Sequence, residues 1–178
     1  MLLTSARLAL RPFRPEDAPA LAAYRSDPDV ARYQGWDAPF PLDAATRMIA
    51  EMTDPAAPGW FQYALDRDGT VIGDVGVNTH DNLMQAEIGY TLAPAHQGRG
   101  YATEAVHRML EHLFTDRGLH RVSAETDARN EPSVKVLLRL GFRQEGHRVE
   151  HTWTGGEWTD DLLFGLLARD FRPSGTTP

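Results

Sequence analysis

The 178-residue chain contains no cysteine, and that absence removes a block of chemistry. Disulfides, thiolate metal centres and acyl-cysteine intermediates all need a sulfur that is not there. Lysine is almost as scarce. Lys135 is the only one, and the GxxxxGK[ST] phosphate loop, which needs a lysine after its last glycine, occurs nowhere. No apolar run approaches the roughly 20 residues that cross a bilayer. The opening MLLTSARLALRPFRPED has no uninterrupted apolar segment of the kind a secretory signal carries. No membrane association and a cytoplasmic location are therefore expected. Basic residues are outnumbered, 18 against 25 acidic ones, leaving a net charge of −7. That balance argues against nucleic acid as the main partner and leans toward a cationic one, such as an amine. The sequence shows no internal repeat, so residues 1–171 read as one domain, followed by a disordered tail over 172–178.

What is present concentrates in Glu87–Phe114, EIGYTLAPAHQGRGYATEAVHRMLEHLF. A short alternating strand empties through Gly98 and Gly100 into a long amphipathic helix. Ala102, Ala105, Val106, Met109, Leu110, Leu113 and Phe114 recur at i, i+3, i+4 spacing and make one apolar stripe. A glycine-rich entry to a helix N-terminus holds anions, because unpaired N–H groups point outward there and the helix dipole favours negative charge. Each such interaction is worth roughly 0.3–1 kcal/mol, so several amides must converge, and Gln97–Thr103 supplies them.

A dinucleotide fingerprint is the first rival. Gly98-Arg99-Gly100 opens a helix, and the next strand, Arg121–Asp127, carries acids about where a ribose would sit. Against it, Thr103 stands in place of the third glycine, Ala93–Gln97 separate the strand from Gly98, and only one βαβ unit is visible. No metal site is expected: His107 and Glu111 are spaced i, i+4 on a helix but do not make the HExxH pattern.

The rest of the chain reads as short elements. Arg7–Arg11 alternates as an edge strand, and helices follow over Glu16–Arg25, from Pro28 to Tyr33, and over Ala44–Met52 capped by Asp43. Trp60–Leu65 and Val71–Thr79 form a hairpin across Asp68-Gly69. Asn130 caps a helix that Gly141 closes. Arg143–Trp153 and Trp158–Leu167 pair around Gly155-Gly156. The order gives an α/β fold with a mixed, mostly antiparallel central sheet flanked by helices.

Gln97-Gly98-Arg99-Gly100-Tyr101-Ala102 resembles the (R/Q)xxGx(G/A) loop of the GNAT superfamily of acyl-CoA N-acyltransferases. Thr126–Phe142, TDARNEPSVKVLLRLGF, resembles the family's N-x-x-S…LGF segment, and Arg148–Leu167 its closing segment. The resemblance covers roughly residues 7 to 170 and is nearest to the RimJ/RimL-type branch, which acetylates ribosomal-protein N-termini. It implies acetyl-CoA as cosubstrate and no metal. It also implies central strands that splay after Leu92 and before Arg121, so that pantetheine lies between them.

On that resemblance, Tyr90, Thr91 and Leu92 would pair with pantetheine through their main chain. Gln97, Gly98, Arg99, Gly100, Tyr101 and Ala102 would hold the diphosphate, and Asn130 and Ser133 the cofactor arm. Ser133 is the first choice to protonate the leaving thiolate, because Leu137 stands where many members have tyrosine. Tyr101 and Tyr90 are substitutes. Glu87, on the central strand, is the candidate base for the acceptor amine, acting through water. Tyr33, Trp36, Glu150 and His151 are candidate acceptor contacts. The expected reaction is acetyl transfer to a primary amine, foremost a protein or peptide N-terminal α-amine. A small amine such as an aminoglycoside or polyamine, and a catalytically silent acyl-CoA sensor, are the alternatives. Exposed edge strands offer a surface for homodimer formation.

Overall fold

The computed structural model describes residues 2–173. Of the expected disordered tail, residues 174–178 lie outside the described residues. The elements are β1 (Leu3–Thr4), β2 (Ala9–Pro12), α1 (Ala18–Arg25), α2 (Pro28–Ala31), α3 (Leu42–Glu51), β3 (Gly59–Arg67), β4 (Thr70–Thr79) and β5 (Gln85–Leu92). They continue with α4 (Tyr101–Glu111), β6 (Arg121–Asp127), α5 (Glu131–Arg139), β7 (Arg143–Thr154) and β8 (Glu157–Leu167). The eight strands form one sheet in the order β1-β2-β3-β4-β5-β6-β8-β7. All neighbours are antiparallel except β5 and β6, the pair joined through α4. A parallel pair needs such a crossover.

Two boundaries differ from the sequence reading. The segment around Arg7–Arg11 is not an edge strand: β2 lies between β1 and β3, and the two-residue β1 is the outer strand. Asp43 does not cap α3. Pro41 is the N-cap, and Asp43 sits in the first turn, paired with Arg47.

Helix α4 covers one face of the sheet, where Val106, Met109 and Leu110 join Tyr63, Val75, Val77, Ile88 and Val122 in the main core. Helices α1 and α3 form a second, smaller cluster through Leu21, Tyr24, Ala45 and Ile49, and Tyr24 and Arg25 reach Asp74. Among the described residues no helix is long and apolar enough to cross a membrane.

The feature that makes a site is a short pairing. β5 and β6 are in register only at Gln85–Arg121, Ala86–Val122 and Glu87–Ser123. Beyond Glu87 the strands part, while each keeps its outer neighbour: β5 stays on β4 to Leu92 and β6 stays on β8 to Asp127. Ile88–Leu92 and Ala124–Asp127 therefore border a gap in the middle of the sheet. The expected splay is present, starting within β5 rather than at its end.

Candidate active site

Two clefts meet at this gap, one from each side of the sheet. The smaller, of about 460 Å³, is lined by Tyr90–Leu92, Gln97, Gly98, Gly100–Thr103, Asn130, Ser133 and the inner side of α5. The larger, of about 1060 Å³, is lined by Arg25, Tyr33, Trp36, Trp60, Gln62, Asp74, Glu87, Glu125, Asp161 and the turn between β7 and β8. Tyr33, Gln34, Ile88–Thr91, Glu125 and Thr126 line both.

At the smaller cleft the chain builds an anion cradle. Gly98 (φ 71°) and Gly100 (φ 79°) are left-handed, a conformation glycine adopts without a Cβ clash. Gly100 is the N-cap of α4, and no side chain caps that helix, so its first N–H groups are left for a ligand. Glu104, the acid of the first turn, would repel an anion there. It is turned away: Ser5 Oγ (2.8 Å), Arg7 N (2.8 Å) and Arg7 Nε (2.6 Å) all donate to it. Burial raises its pKa, but these hydrogen bonds outweigh burial and hold it below the usual range. Arg7 also donates to the Arg99 carbonyl at 3.1 Å, bracing the loop from outside. Gln97 braces it from within, since its Nε2 donates to the Leu92 carbonyl at 3.0 Å. That carbonyl is occupied, and the Gln97 amide holds the loop against the strand end. Tyr101 is buried, with the guanidinium carbons of Arg7 and Arg67 lying 4.5 and 5.3 Å from its ring centroid. Its ring is packed at the head of α4 beside those two arginines, and Tyr101 lines the smaller cleft. Arg99 is exposed and lies outside the cleft lining.

Helix α5 brings Asn130 and Ser133 to the smaller cleft. Asn130 Oδ1 accepts from Ser133 N at 3.3 Å, capping the helix. The Tyr90 hydroxyl donates to the Ser133 carbonyl at 3.2 Å and lies 2.8 Å from the Ser133 hydroxyl. Burial pushes the Tyr90 phenol up to about 12. Leu137 is 1% exposed and belongs to the core, and it offers no hydroxyl at this turn of α5. The alternation of β5 sends Ile88 and Tyr90 toward α4 and α5, so the hydroxyl of Tyr90, named from the sequence as a substitute acid, reaches Ser133.

The larger cleft is lined by the opposite face. Asn78 faces Glu87, Gly76 faces Gly89 and Asp74 faces Thr91 across β4 and β5. The facing glycines leave the floor bare. The Gln62 carboxamide occupies the space over Gly76, and the Trp60 ring reaches within 4.0 Å of a Cβ built at Gly89. Glu87 borders that floor, half-buried. Burial, then the charge of Glu125, raise its pKa, with Asn78 and His80 pulling the other way. A carboxylate so placed is a better proton acceptor than a solvated one.

The four sequence-predicted acceptor contacts divide. Tyr33 lines both clefts and Trp36 the larger one. Glu150 does not belong to either. It sits at an irregularity of β7 with φ 46°, exposed, donating its N–H to Asp160 at 2.8 Å. His151 is outside the cleft lining too, but its Nδ1 lies 2.9 Å from Asp161 Oδ2, and Asp161 lines the cleft. Glu125, His151 and Asp161 offer ligand atoms within 4.8 Å of one another. Protein groups already satisfy them: Arg148 donates to Glu125 at 3.0 Å and Thr152 to Asp161 at 2.6 Å. Trp153, at the β7–β8 turn, closes the outer wall beside Trp158, their ring centroids 5.3 Å apart. Sequence reasoning did not nominate Arg7, Arg25, Gln62 or Asp74. Each acts through a partner many positions away, which no local pattern reports.

Comparison with known proteins gives this geometry a context. The family profile described as "Acetyltransferase (GNAT) domain" matches residues 7–143. An uncharacterized N-acetyltransferase, p20, of Bacillus licheniformis is 35% identical over 95% of this chain and 97% of its own length. The [ribosomal protein uS5]-alanine N-acetyltransferase of Escherichia coli is 27% identical over 96% of this chain and 93% of its own. Among solved structures, Mycobacterium smegmatis RimJ in complex with CoA-disulfide superposes with a TM-score of 0.84 at 28% identity. It covers 95% of this chain and 88% of RimJ.

Proposed function

The chain belongs to the GNAT acetyltransferase family and is an acetyl-CoA-dependent N-acetyltransferase, and on that premise we propose that its acceptor is the α-amine of a peptide or protein N-terminus, attacked directly in a ternary complex. The observation that carries this reading is the meeting of two clefts across the β5–β6 gap. A donor and an acceptor can be held there at once from opposite faces. Juxtaposing two reactants can supply about 7–11 kcal/mol of the barrier. An acid or a base adds about 10²–10⁴-fold each, so positioning dominates.

In this reading the uncapped amides of Gly98–Ala102 hold the diphosphate, and Gln97 and Arg7 keep the loop in shape. Tyr90 and Thr91 offer a strand edge to the amides of pantetheine, the Leu92 carbonyl being taken by Gln97. The cosubstrate supplies an acetyl thioester, whose carbonyl lies where an N–H of that edge can stabilise a developing oxyanion. Glu87 takes the proton from the acceptor ammonium, directly or through water. Tyr90 and Ser133, sharing a hydrogen bond, return a proton to the thiolate. An acidic, aromatic-walled cleft suits a cationic acceptor, and the uS5-alanine enzyme makes a protein N-terminus the leading form of it. The cytoplasm is the proposed location, and the exposed edge strands β1 and β7 are the proposed dimer surfaces.

The test is thiol release from acetyl-CoA upon addition of N-terminal peptides, polyamines and aminoglycosides. Peptides are expected to give the highest kcat/KM. CoA binding without thiol release from any amine would identify a silent sensor instead.

A further inference from the structure

The floor of the acceptor cleft holds a buried cation with unused donors. Arg25, the last residue of α1, is 6% exposed. A guanidinium carries five N–H donors, and burying it is tolerable only when they find acceptors. Here Nη1 meets only the Met48 sulfur, at 3.6 Å. Nη2 reaches Asp74 Oδ2 at 3.4 Å, long for a charge-assisted bond. Nε is buried without any partner among the described residues. Asp74, 2% exposed, takes its closer bond from the Tyr24 hydroxyl.

The same chain shows what a saturated buried arginine looks like. Arg11, 7% exposed, donates from Nε to Asp66 at 2.9 Å, from Nη1 and Nη2 to Asp17 at 2.6 and 3.1 Å, and from Nη1 to the Pro12 carbonyl at 3.2 Å. Arg25 has one long carboxylate bond and a sulfur contact in place of these, and it borders a cleft that Arg11 does not. The Trp36 ring centroid lies 4.1 Å from its guanidinium carbon, and the indole N–H is tied to the Arg25 carbonyl at 3.1 Å. Trp36 thus fixes the plane of the guanidinium without using any of its N–H groups.

We propose that Arg25 reads the acceptor. Its spare donors take the carbonyl oxygen next to the reacting α-amine, orienting that amine toward the β5–β6 gap. The inference rests on the assignment of the larger cleft to the acceptor, and it narrows the acceptor class. An α-amino carbonyl compound satisfies Arg25; an alkylamine leaves it unfilled, and a polyamine adds a second positive charge beside it. A group built to hydrogen-bond a substrate discriminates against analogues lacking the partner.

The experiment compares alaninamide with isopropylamine, in which a methyl replaces the carboxamide. Thiol release from acetyl-CoA is followed, with rates expressed per neutral amine because the two ammoniums differ in acidity. The expected preference for alaninamide is about 10- to 100-fold in kcat/KM, the range a hydrogen bond to a charged donor supplies. Arg25→Lys keeps the charge and loses the fork. It should lower kcat/KM for alaninamide about tenfold more than for isopropylamine, with the KM for acetyl-CoA unchanged. Equal wild-type rates for the two amines overturn the inference and leave acetyl transfer standing. A parallel loss for both amines in Arg25→Lys, with a lowered Tm, also overturns it by making Arg25 structural. No thiol release from any amine overturns the acceptor reading and this inference together.

Discussion

The hydroxyl of Tyr90 lies 2.8 Å from the hydroxyl of Ser133, joining the free edge of β5 to the first turn of α5. The two residues are 43 positions apart, and they meet beside the gap where the thiol of the cosubstrate would depart. Because burial holds the Tyr90 phenol near 12, it stays protonated at neutral pH and can donate, directly or through Ser133. The family's usual tyrosine is absent at Leu137, yet a phenol still reaches this point, from the strand instead of the helix.

Removing that hydroxyl tests the assignment. Tyr90→Phe keeps the ring packing and should lower kcat about 100-fold, the lower end of the range of a single acid. Ser133→Ala should cost less, and the double variant should cost little more than Tyr90→Phe, since residues in one hydrogen-bond network are not additive. Steady-state thiol release measures this; full additivity would separate the two hydroxyls functionally.

Glu87 predicts a pH profile. A base works only when ionised, and burial and Glu125 raise its pKa above the ordinary carboxylate value. Activity should therefore fall as pH drops through that raised value, higher than an unperturbed glutamate would allow. Glu125→Gln removes the like charge, so the acid limb should move to lower pH. Glu87→Gln should lower kcat and abolish the limb while calorimetric CoA affinity persists. A limb that survives in Glu87→Gln assigns the base elsewhere.

Two glycines on the same strand should behave differently. A Cβ at Gly76 would meet the far end of the Gln62 side chain at 2.6 Å, whereas one at Gly73 would collide with the Thr91 carbonyl oxygen. Gly76→Ala pushes a flexible amide into the acceptor cleft: the acceptor KM should rise several-fold, with Tm nearly unchanged. Gly73→Ala must move backbone and should destabilise by about 1–3 kcal/mol, as overpacking does. Thermal melts of the two variants decide it, and a similar Tm loss in both would contradict the account.

Arg7 should matter for the cofactor without touching it. Arg7→Ala releases the Arg99 carbonyl and removes the guanidinium paired with Glu104 in the first turn of α4, leaving that carboxylate's charge uncompensated near the anion cradle, held by Ser5 Oγ and the residue-7 N–H alone. At about 1 kcal/mol for a charge at a helix end, CoA affinity should fall about fivefold. The acceptor KM should hold. Titration calorimetry with CoA reads the change directly, and an unchanged affinity would remove Arg7 from the cradle.

Local chemistry made much of this fold legible. β6 spans Arg121–Asp127 as read from its alternation, the β3–β4 hairpin turns at Asp68-Gly69, and Asn130 caps α5. Each is set by residues within a few positions of one another. The glycine loop that opens α4 was legible for the same reason, since Gln97–Ala102 is contiguous. The acceptor side was not. Arg25 and Asp74 are 49 positions apart and Arg7 and Glu104 97, so only the folded sheet brings them together. β1 is two residues long, too short to show a period, and that concealed the true edge next to β2. Glu150 was named as an acceptor contact, but it sits at the Arg148–Thr152 irregularity with φ 46° and outside the lining of the larger cleft.

A crystal structure of the protein with coenzyme A tests the central claim most directly. The account predicts the diphosphate on the main-chain amides of Gly98–Ala102 and the thiol end between β5 and β6 beyond Glu87, within reach of Tyr90 and Ser133. Coenzyme A lodged on another surface, or a diphosphate held by side chains away from the start of α4, would contradict it.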